Sequence, residues 1–174
     1  MRSLILGGAR TGKSRLAEKL AIDSGLEVVY IATAQARDGE MNERIAQHRA
    51  DRPAHWRTVE EPLALAATLQ REARADRCLL VDCLTLWLSN LLLADEQGTA
   101  LAREREALLA VLAALPGTLI LVSNETGLGI IPLGELTRRY VDEAGRLHQR
   151  LAQLSERVVF CVAGLPMTLK GNPP

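Results

Sequence analysis

Residues 7–14 read Gly-Gly-Ala-Arg-Thr-Gly-Lys-Ser and match G-x-x-x-x-G-K-[ST] at every fixed position. An apolar run, residues 4–6, precedes this segment, and apolar residues recur at helical spacing after it. A glycine-rich turn between a strand and a helix directs several backbone N–H groups at a phosphate, and the helix N-terminus adds partial positive charge. The sequence therefore predicts a phosphate-binding loop for a nucleoside triphosphate, with these nucleotide contacts: Gly7, Gly8, Ala9, Arg10, Thr11, Gly12, Lys13 and Ser14.

The balance of charges argues against polyanionic partners. The 174 residues include 21 lysines and arginines and 21 aspartates and glutamates, so the formal net charge is zero. Such a chain has no electrostatic footprint for nucleic acid or for an anionic membrane surface. The longest apolar segment, residues 84–94, is too short to span a bilayer. We therefore predict no nucleic-acid partner and no membrane span.

The cysteines indicate the compartment. Cys78, Cys83 and Cys161 are odd in number, lack Cys-x-x-Cys spacing and lie in apolar runs. They are predicted to be small buried hydrophobic residues in a reducing compartment rather than metal ligands or disulfide partners. We therefore expect a cytoplasmic protein.

Apolar runs alternate along the chain with segments in which apolar residues recur at helical spacing. The length of the chain fits a single domain over residues 1–174. The predicted strands are 4–6, 27–31, 56–60, 78–82, 119–122 and, as the last, 158–162. The predicted helices are 13–23, 63–75, 84–93, 100–115 and 134–154, and residues 38–51 are predicted to be a loop entering a short charged helix. This alternation predicts an α/β P-loop NTPase fold, a mostly parallel sheet with helices on both faces.

Two predicted strands end in residues suited to a ligand. Residues 78–82 form an apolar run that ends in Asp82, as in a Walker B strand, whose aspartate holds Mg²⁺. With the hydroxyl of Ser14, this carboxylate is the predicted metal site. The strand 27–31 ends in the small residues Ala32-Thr33-Ala34, which leave room for a ligand at the carboxyl edge of the sheet.

A histidine in the charged segment has two interpretations. Met41, Ile45 and His48 lie at i, i+4 and i+7 and would share one helix face. Spacing alone favours a buried core histidine over a functional one. A solvated helix face accounts equally well for the arginines around it, Arg44, Arg49 and Arg52.

Three classes of P-loop protein are compatible with the loop alone. A regulatory GTPase needs a base-reading N-K-x-D element, whereas residues 123–126 read Ser-Asn-Glu-Thr. A RecA-type ATPase acts on a polymer, which the neutral charge does not support. A small-molecule kinase fits the length and compartment but leaves the cluster around His48 unexplained.

Several longer motifs are more specific than the loop. They are Tyr30-Ile31-Ala32-Thr33-Ala34, Glu40-Met41 with Arg44-Ile45-x-x-His48-Arg49, Arg52-Pro53-x-His55-Trp56-Arg57-Thr58-Val59-Glu60, Asn124-Glu125-x-Gly127-x-Gly129-Ile130-x-Pro132 and Gly145-Arg146-x-x-Gln149-Arg150-Leu151-Ala152. With residues 7–14, they resemble the bifunctional adenosylcobinamide kinase/adenosylcobinamide-phosphate guanylyltransferase family over nearly the whole chain. Thr11 stands where we expect serine and keeps the hydroxyl.

The resemblance implies two reactions of cobalamin biosynthesis. ATP or GTP would phosphorylate the hydroxyl of adenosylcobinamide, and GTP would then donate GMP to that phosphate, which gives adenosyl-GDP-cobinamide and pyrophosphate. The resemblance implies that the GMP passes through a guanylylated histidine at His48. The chemistry suits this role, because a neutral imidazole is a competent nucleophile. Lys13 is the second predicted catalytic residue, because its charge would help to hold the departing pyrophosphate.

The resemblance also implies further contacts and an assembly. By matched position, the additional GTP contacts are Ala32, Thr33, Ala34, Arg49, Ala50, Asp51, Arg52, Glu60 and Asp82. The resemblance implies Mg²⁺ as the cofactor and the corrinoid as the substrate. It also implies a homotrimer. The apolar stretch 84–93 would supply contact area for the trimer, or it would be part of the core.

Overall fold

A seven-stranded sheet organises the computed structural model, which describes residues 1–35, 39, 46, 52–95 and 97–174. The strands are β1 (Arg2–Gly7), β2 (Glu27–Ala32), β3 (Arg57–Glu60), β4 (Arg77–Asp82), β5 (Thr118–Asn124), β6 (Arg157–Val162) and β7 (Leu165–Lys170). The helices of the described part are α1 (Lys13–Asp23), α2 (Leu65–Glu72), α3 (Leu84–Ala94), α4 (Thr99–Leu112) and α5 (Glu135–Leu154). The predicted loop and helix over residues 38–51 lie almost wholly outside the described residues.

The strand order brings the ligand-facing ends of the strands together. The order is β3-β2-β4-β5-β1-β6-β7, and every neighbouring pair is parallel except β6 with β7. Ala32 lies opposite both Glu60 and Asp82, and Gly7 lies opposite Asn124. Parallel strands in this register end at one edge, which is where open α/β sheets bind ligands.

Alternate residues of each central strand face two separate apolar layers. Leu4 and Leu6 of β1 pack in the layer that contains residues of α2, α3, α4 and α5, whereas Ile5 packs in the layer that contains Ala17 and Ala21 of α1. Strands that are covered on both faces appear in the sequence as continuous apolar runs, and their positions could therefore be predicted. The predicted mostly parallel sheet with helices on both faces is confirmed.

Helix α3 belongs mainly to the core. Trp87 and Leu88 are fully buried, whereas Leu93 is exposed. The helix also holds the end of β2, because the Asn90 side-chain amide donates hydrogen bonds to the carbonyls of Thr33 at 2.8 Å and Pro62 at 3.2 Å. Of the two interpretations of the stretch 84–93, the structure favours the core.

The prediction that the strand at 158–162 is the last was wrong. Strand β7 pairs antiparallel with β6 through a turn at Ala163 and Gly164, whose φ angles are 53° and 82°. Two positive φ values fit the type I′ turn that joins tight hairpins. The strand was missed because Pro166 counts against a strand and because its apolar residues face solvent rather than the core.

Two helices are shorter than predicted. Helix α2 covers Leu65–Glu72 rather than 63–75, and α4 covers Thr99–Leu112 rather than 100–115. Ala73 ends α2 because its backbone is extended, with ψ at 131°. The apolar pattern continues beyond both helices because residues such as Ala73 and Leu115 are buried without being helical.

We expect Asn90→Leu to lower the free energy of unfolding by about 1–3 kcal/mol, because the Thr33 carbonyl after β2 and the Pro62 carbonyl after β3 lose this donor. Denaturant titration measures this change. Ser89→Ala is the matched control, since the Ser89 hydroxyl bonds only to the carbonyl of Thr85 in its own helix among the contacts described, at 3.0 Å. Equal losses in the two variants would show that the Asn90 amide does not hold the sheet edge.

Candidate functional site

The phosphate loop is built on a close approach between β1 and β6. A Cβ at Gly7 would lie 2.6 Å from the Cys161 carbonyl oxygen and 2.6 Å from the Thr11 hydroxyl, so no side chain fits there. The Thr11 hydroxyl donates to the Gly8 carbonyl at 2.9 Å, and the Gly164 N–H donates to the Thr11 carbonyl at 3.1 Å. The loop is thus held both by its own bonds and by the turn between β6 and β7.

Helix α1 starts at the predicted Lys13, directly after the loop. No side chain of the described residues caps its N-terminus, and its first turn contains no acidic residue. Its first N–H groups and its partial positive charge therefore remain directed at the loop, as an anion site requires. The Lys13 ammonium lies over the loop and donates to the Gly8 carbonyl at 3.1 Å.

Asp82 lies at the carboxyl end of β4 and is half-buried. One of its oxygens, Oδ2, accepts a hydrogen bond from the Tyr30 hydroxyl at 3.0 Å, which fixes the orientation of the carboxylate. Burial is the main reason that the pKa of Tyr30 is raised far above its usual range, with the Asp82 charge as a second cause. Tyr30 is therefore a permanent hydrogen-bond donor to Asp82.

The donor set of Ser14 and Asp82 fits Mg²⁺. Hydroxyl and carboxylate oxygens are the ligands that this hard cation prefers, and Mg²⁺ usually takes only one or two protein ligands besides waters and phosphates. The part of the chain that the structure describes contains no group of three or more His, Cys, Asp or Glu side chains arranged to hold a metal.

Thr33 occupies the predicted position, but its hydroxyl is engaged in the fold. It is fully buried, donates to the Cys83 carbonyl at 2.7 Å and accepts from the Cys83 N–H at 3.0 Å. The side chain therefore ties the end of β2 to the residue after Asp82. Ala32 and Ala34 on either side are half-buried.

Arg52 brings a positive charge to this part of the edge. Its guanidinium lies 3.4 Å from the centroid of the Tyr30 ring, on the residue that binds Asp82. Its Nε and Nη1 atoms are buried and have no hydrogen-bond partner in the described structure. Buried donors of this kind are costly unless a ligand or water satisfies them. Arg52 is thus a suitable contact for a phosphate oxygen.

The remaining predicted residues lie at the rim or outside the description. Glu60 is exposed at the end of β3, opposite Ala32. His55, in the segment before β3, is also exposed. The predicted nucleophile and three predicted GTP contacts lie outside the described residues: His48, Arg49, Ala50 and Asp51.

Three polar residues that the sequence did not indicate as a group lie together at the sheet edge, and we call them the Ser123–Glu125–His148 cluster. His148 Nε2 lies 2.8 Å from Ser123 Oγ, and His148 Nδ1 lies 3.7 Å from Glu125 Oε2. Burial lowers the pKa of His148, although the Glu125 carboxylate opposes this effect. The pair Asn124-Glu125 at the end of β5 was visible in the sequence, but only the fold brings His148 of α5 next to it.

Comparison with known proteins identifies the family. A family model described as cobinamide kinase / cobinamide phosphate guanyltransferase matches residues 3–169. The chain belongs to this family.

Two relatives of the family match the chain along almost its full length. The bifunctional adenosylcobalamin biosynthesis protein CobP of Pseudomonas aeruginosa is 74% identical, over 99% of this chain and 99% of that protein. The bifunctional adenosylcobalamin biosynthesis protein CobU of Salmonella typhimurium is 40% identical, over 98% of this chain and 100% of that protein.

Solved structures support the fold class. The crystal structure of the flagellar accessory protein FlaH from Methanocaldococcus jannaschii has a TM-score of 0.50 at 15% identity, over 98% of this chain and 78% of that chain. At this identity the likeness concerns the fold alone, and it agrees with the predicted α/β P-loop NTPase fold. Among the described residues, none of the helices combines the length and apolar character that a membrane span needs.

Proposed function

We propose that this chain phosphorylates adenosylcobinamide with ATP or GTP and then transfers GMP from GTP to adenosylcobinamide phosphate. The observation that carries the proposal is the match of residues 3–169 to the family model. The phosphate loop and the fixed carboxylate of Asp82, at the same edge of the sheet, support it, since both reactions use a nucleoside triphosphate. Incubation with adenosylcobinamide, ATP, GTP and Mg²⁺ tests it, with adenosyl-GDP-cobinamide as the expected product.

In the kinase reaction, the loop holds the triphosphate and the substrate supplies the nucleophile. The oxygen of the substrate hydroxyl attacks the γ-phosphorus, and the bond between this phosphorus and the β-phosphate oxygen breaks. The backbone N–H groups at the start of α1 and the Lys13 ammonium stabilise the charge on the departing diphosphate. Ser14 and Asp82 would hold Mg²⁺, which neutralises phosphate charge when bound.

In the transferase reaction, the proposal follows the resemblance of the segment around His48. The imidazole attacks the α-phosphorus of GTP, and pyrophosphate departs into the phosphate loop. A phosphate oxygen of adenosylcobinamide phosphate then attacks the same phosphorus and releases His48. Arg52 supports this step, because its buried N–H groups have no hydrogen-bond partner among the described residues and suit the charge that develops on the phosphate oxygens.

The same resemblance leads us to propose a homotrimer that acts in the cytoplasm. Free cysteines, at Cys78, Cys83 and Cys161, are consistent with a reducing compartment. Ile130 and Leu133 are 97% and 98% exposed in the loop between β5 and α5, and a contact between copies would cover such apolar surface. Sedimentation equilibrium should give the mass of three chains.

We expect Asp82→Asn to lower turnover in both reactions and to raise the Mg²⁺ concentration needed for half-maximal rate, because one of two protein ligands loses its charge. The isostere should leave the melting temperature nearly unchanged, since it still accepts the hydrogen bond from Tyr30. A Mg²⁺ titration of the rate measures the effect. Asp76→Asn is the control, because Asp76 is exposed just before β4; equal behaviour of the two variants would remove Asp82 from the metal site.

We expect His48→Ala to separate the two reactions. The variant should still phosphorylate adenosylcobinamide, since the nucleophile there is the substrate hydroxyl, but it should accumulate the phosphate and form no adenosyl-GDP-cobinamide. Wild-type protein should retain label from GTP tagged at the α-phosphorus and none from the γ-phosphorus.

His55→Ala is the matched control for this separation, because His55 is an exposed histidine of the same region. It should take up the α-label like the wild type. Uptake of label by His48→Ala together with loss of uptake by His55→Ala would identify His55 as the nucleophile. Loss of both reactions in His48→Ala with a lower melting temperature would indicate a core histidine instead.

A further inference from the structure

The Ser123–Glu125–His148 cluster lies at the carboxyl end of β5, between the phosphate loop and Asp82. Strand β5 pairs with β1 on one side and with β4 on the other. The backbone N–H of Glu125 donates to the carbonyl of Gly7, the first loop residue, at 3.0 Å. The backbone of Glu125 is therefore hydrogen-bonded to the loop that would hold the triphosphate. Glu125 itself is only half-buried.

The surroundings of His148 define its tautomer. Its Nδ1 atom is buried without a hydrogen-bond partner among the described residues and faces Glu125 Oε2 at 3.7 Å. A bare nitrogen lone pair in that place would repel the carboxylate, so Nδ1 carries the proton. Nε2 then accepts the proton of the Ser123 hydroxyl, at 2.8 Å. Burial lowers the pKa of His148, which keeps the ring neutral near pH 7.

Glu125 is held from two sides, whereas Ser123 is sequestered. One carboxylate oxygen of Glu125, Oε1, accepts the N–H of Gly127 at 2.5 Å, and the other faces His148. Ser123 is fully buried and is therefore not a nucleophile, despite its contact with a histidine. Its neighbour Asn124 has a buried side-chain oxygen without a hydrogen-bond partner in the described structure, which suits a polar group of a ligand at this edge.

We propose that Glu125 is the general base of the kinase reaction and that His148 is a positioning residue that orients its carboxylate. This inference rests on the kinase half of the proposed function. Glu125 takes the proton of the adenosylcobinamide hydroxyl as the oxygen of that hydroxyl bonds to the γ-phosphorus, and the electron pair of the breaking P–O bond leaves with the diphosphate. The proton stays on Glu125 until solvent removes it after product release.

The same chemistry makes the inference selective for one reaction. In guanylyl transfer the nucleophiles are a neutral imidazole and then a phosphate oxygen that is already ionised. Neither nucleophile has an O–H proton to lose, so neither needs the carboxylate as a base. Loss of the Glu125 charge should therefore slow phosphorylation and spare GMP transfer.

The test measures both reactions separately in the full-length protein. For Glu125→Gln, we expect kcat for phosphorylation of adenosylcobinamide by ATP to fall at least about 100-fold. The KM values should stay within about threefold of wild type, since a general base acts in the transition state rather than in binding. GMP transfer from GTP to supplied adenosylcobinamide phosphate should also stay within about threefold, which shows that the variant is folded. Glu135→Gln, at an exposed position of α5, is the matched control and should resemble wild type in both.

Two variants of His148 test its positioning role. His148→Asn keeps an N–H donor on the side of Glu125 and should keep kinase kcat within about tenfold of wild type, whereas His148→Leu should fall to nearly the rate of Glu125→Gln. Both should transfer GMP normally. Equal rates in the two variants would overturn the role of His148.

The possible outcomes also separate this inference from the proposed function. If the wild-type protein phosphorylates adenosylcobinamide and Glu125→Gln retains this activity, only the role of Glu125 is contradicted. An equal loss of both reactions in Glu125→Gln also contradicts it, because the residue would then support the loop rather than accept a proton. A wild-type protein that phosphorylates no adenosylcobinamide would contradict the proposed function itself.

Discussion

The close approach of β1 to β6 at Gly7 is the constraint on which the site depends. The loop can pass beside the Cys161 carbonyl only because residue 7 has no side chain, and this passage places the start of α1 at the sheet edge. The turn between β6 and β7 supports the loop through the Gly164 N–H. The C-terminal hairpin therefore contributes to the phosphate site although it contains none of its predicted residues.

The other half of the edge is held by polar groups that satisfy one another. Asn90 fixes the end of β2 through the Thr33 carbonyl, Thr33 fixes the residue after Asp82, and Tyr30 fixes the Asp82 carboxylate. Burying a polar group without a hydrogen-bond partner is costly, and each of these hydrogen bonds supplies such a partner. This network keeps the carboxylate at the end of β4 oriented in the absence of any charge partner among the contacts described here.

The sequence predicted what depends on local pattern. The phosphate loop, α1 and the buried strands follow from short motifs and continuous apolar runs, and α1 begins and ends where the spacing placed it, at Lys13 and Asp23. Strand β7 was missed because Pro166 counts against a strand and because its apolar residues face solvent rather than the core. His148 was missed because it lies far from Glu125 in the sequence, and only the packing of α5 against the sheet joins them. The role of His48 rests on resemblance and stays a prediction.

We propose that one triphosphate site, between the phosphate loop and Asp82, serves both reactions. Calorimetric titration with β,γ-imido-GTP, alone and in the presence of saturating β,γ-imido-ATP, measures the number of sites per chain. We expect one nucleotide per chain and full competition between the two analogues. Lys13→Ala should lose binding. Lys19→Ala is the control and should keep binding, because among the contacts described the Lys19 ammonium forms only an exposed ion pair with Asp23 at 3.1 Å. Two independent sites per chain, or binding of one analogue that the other does not displace, would contradict the account.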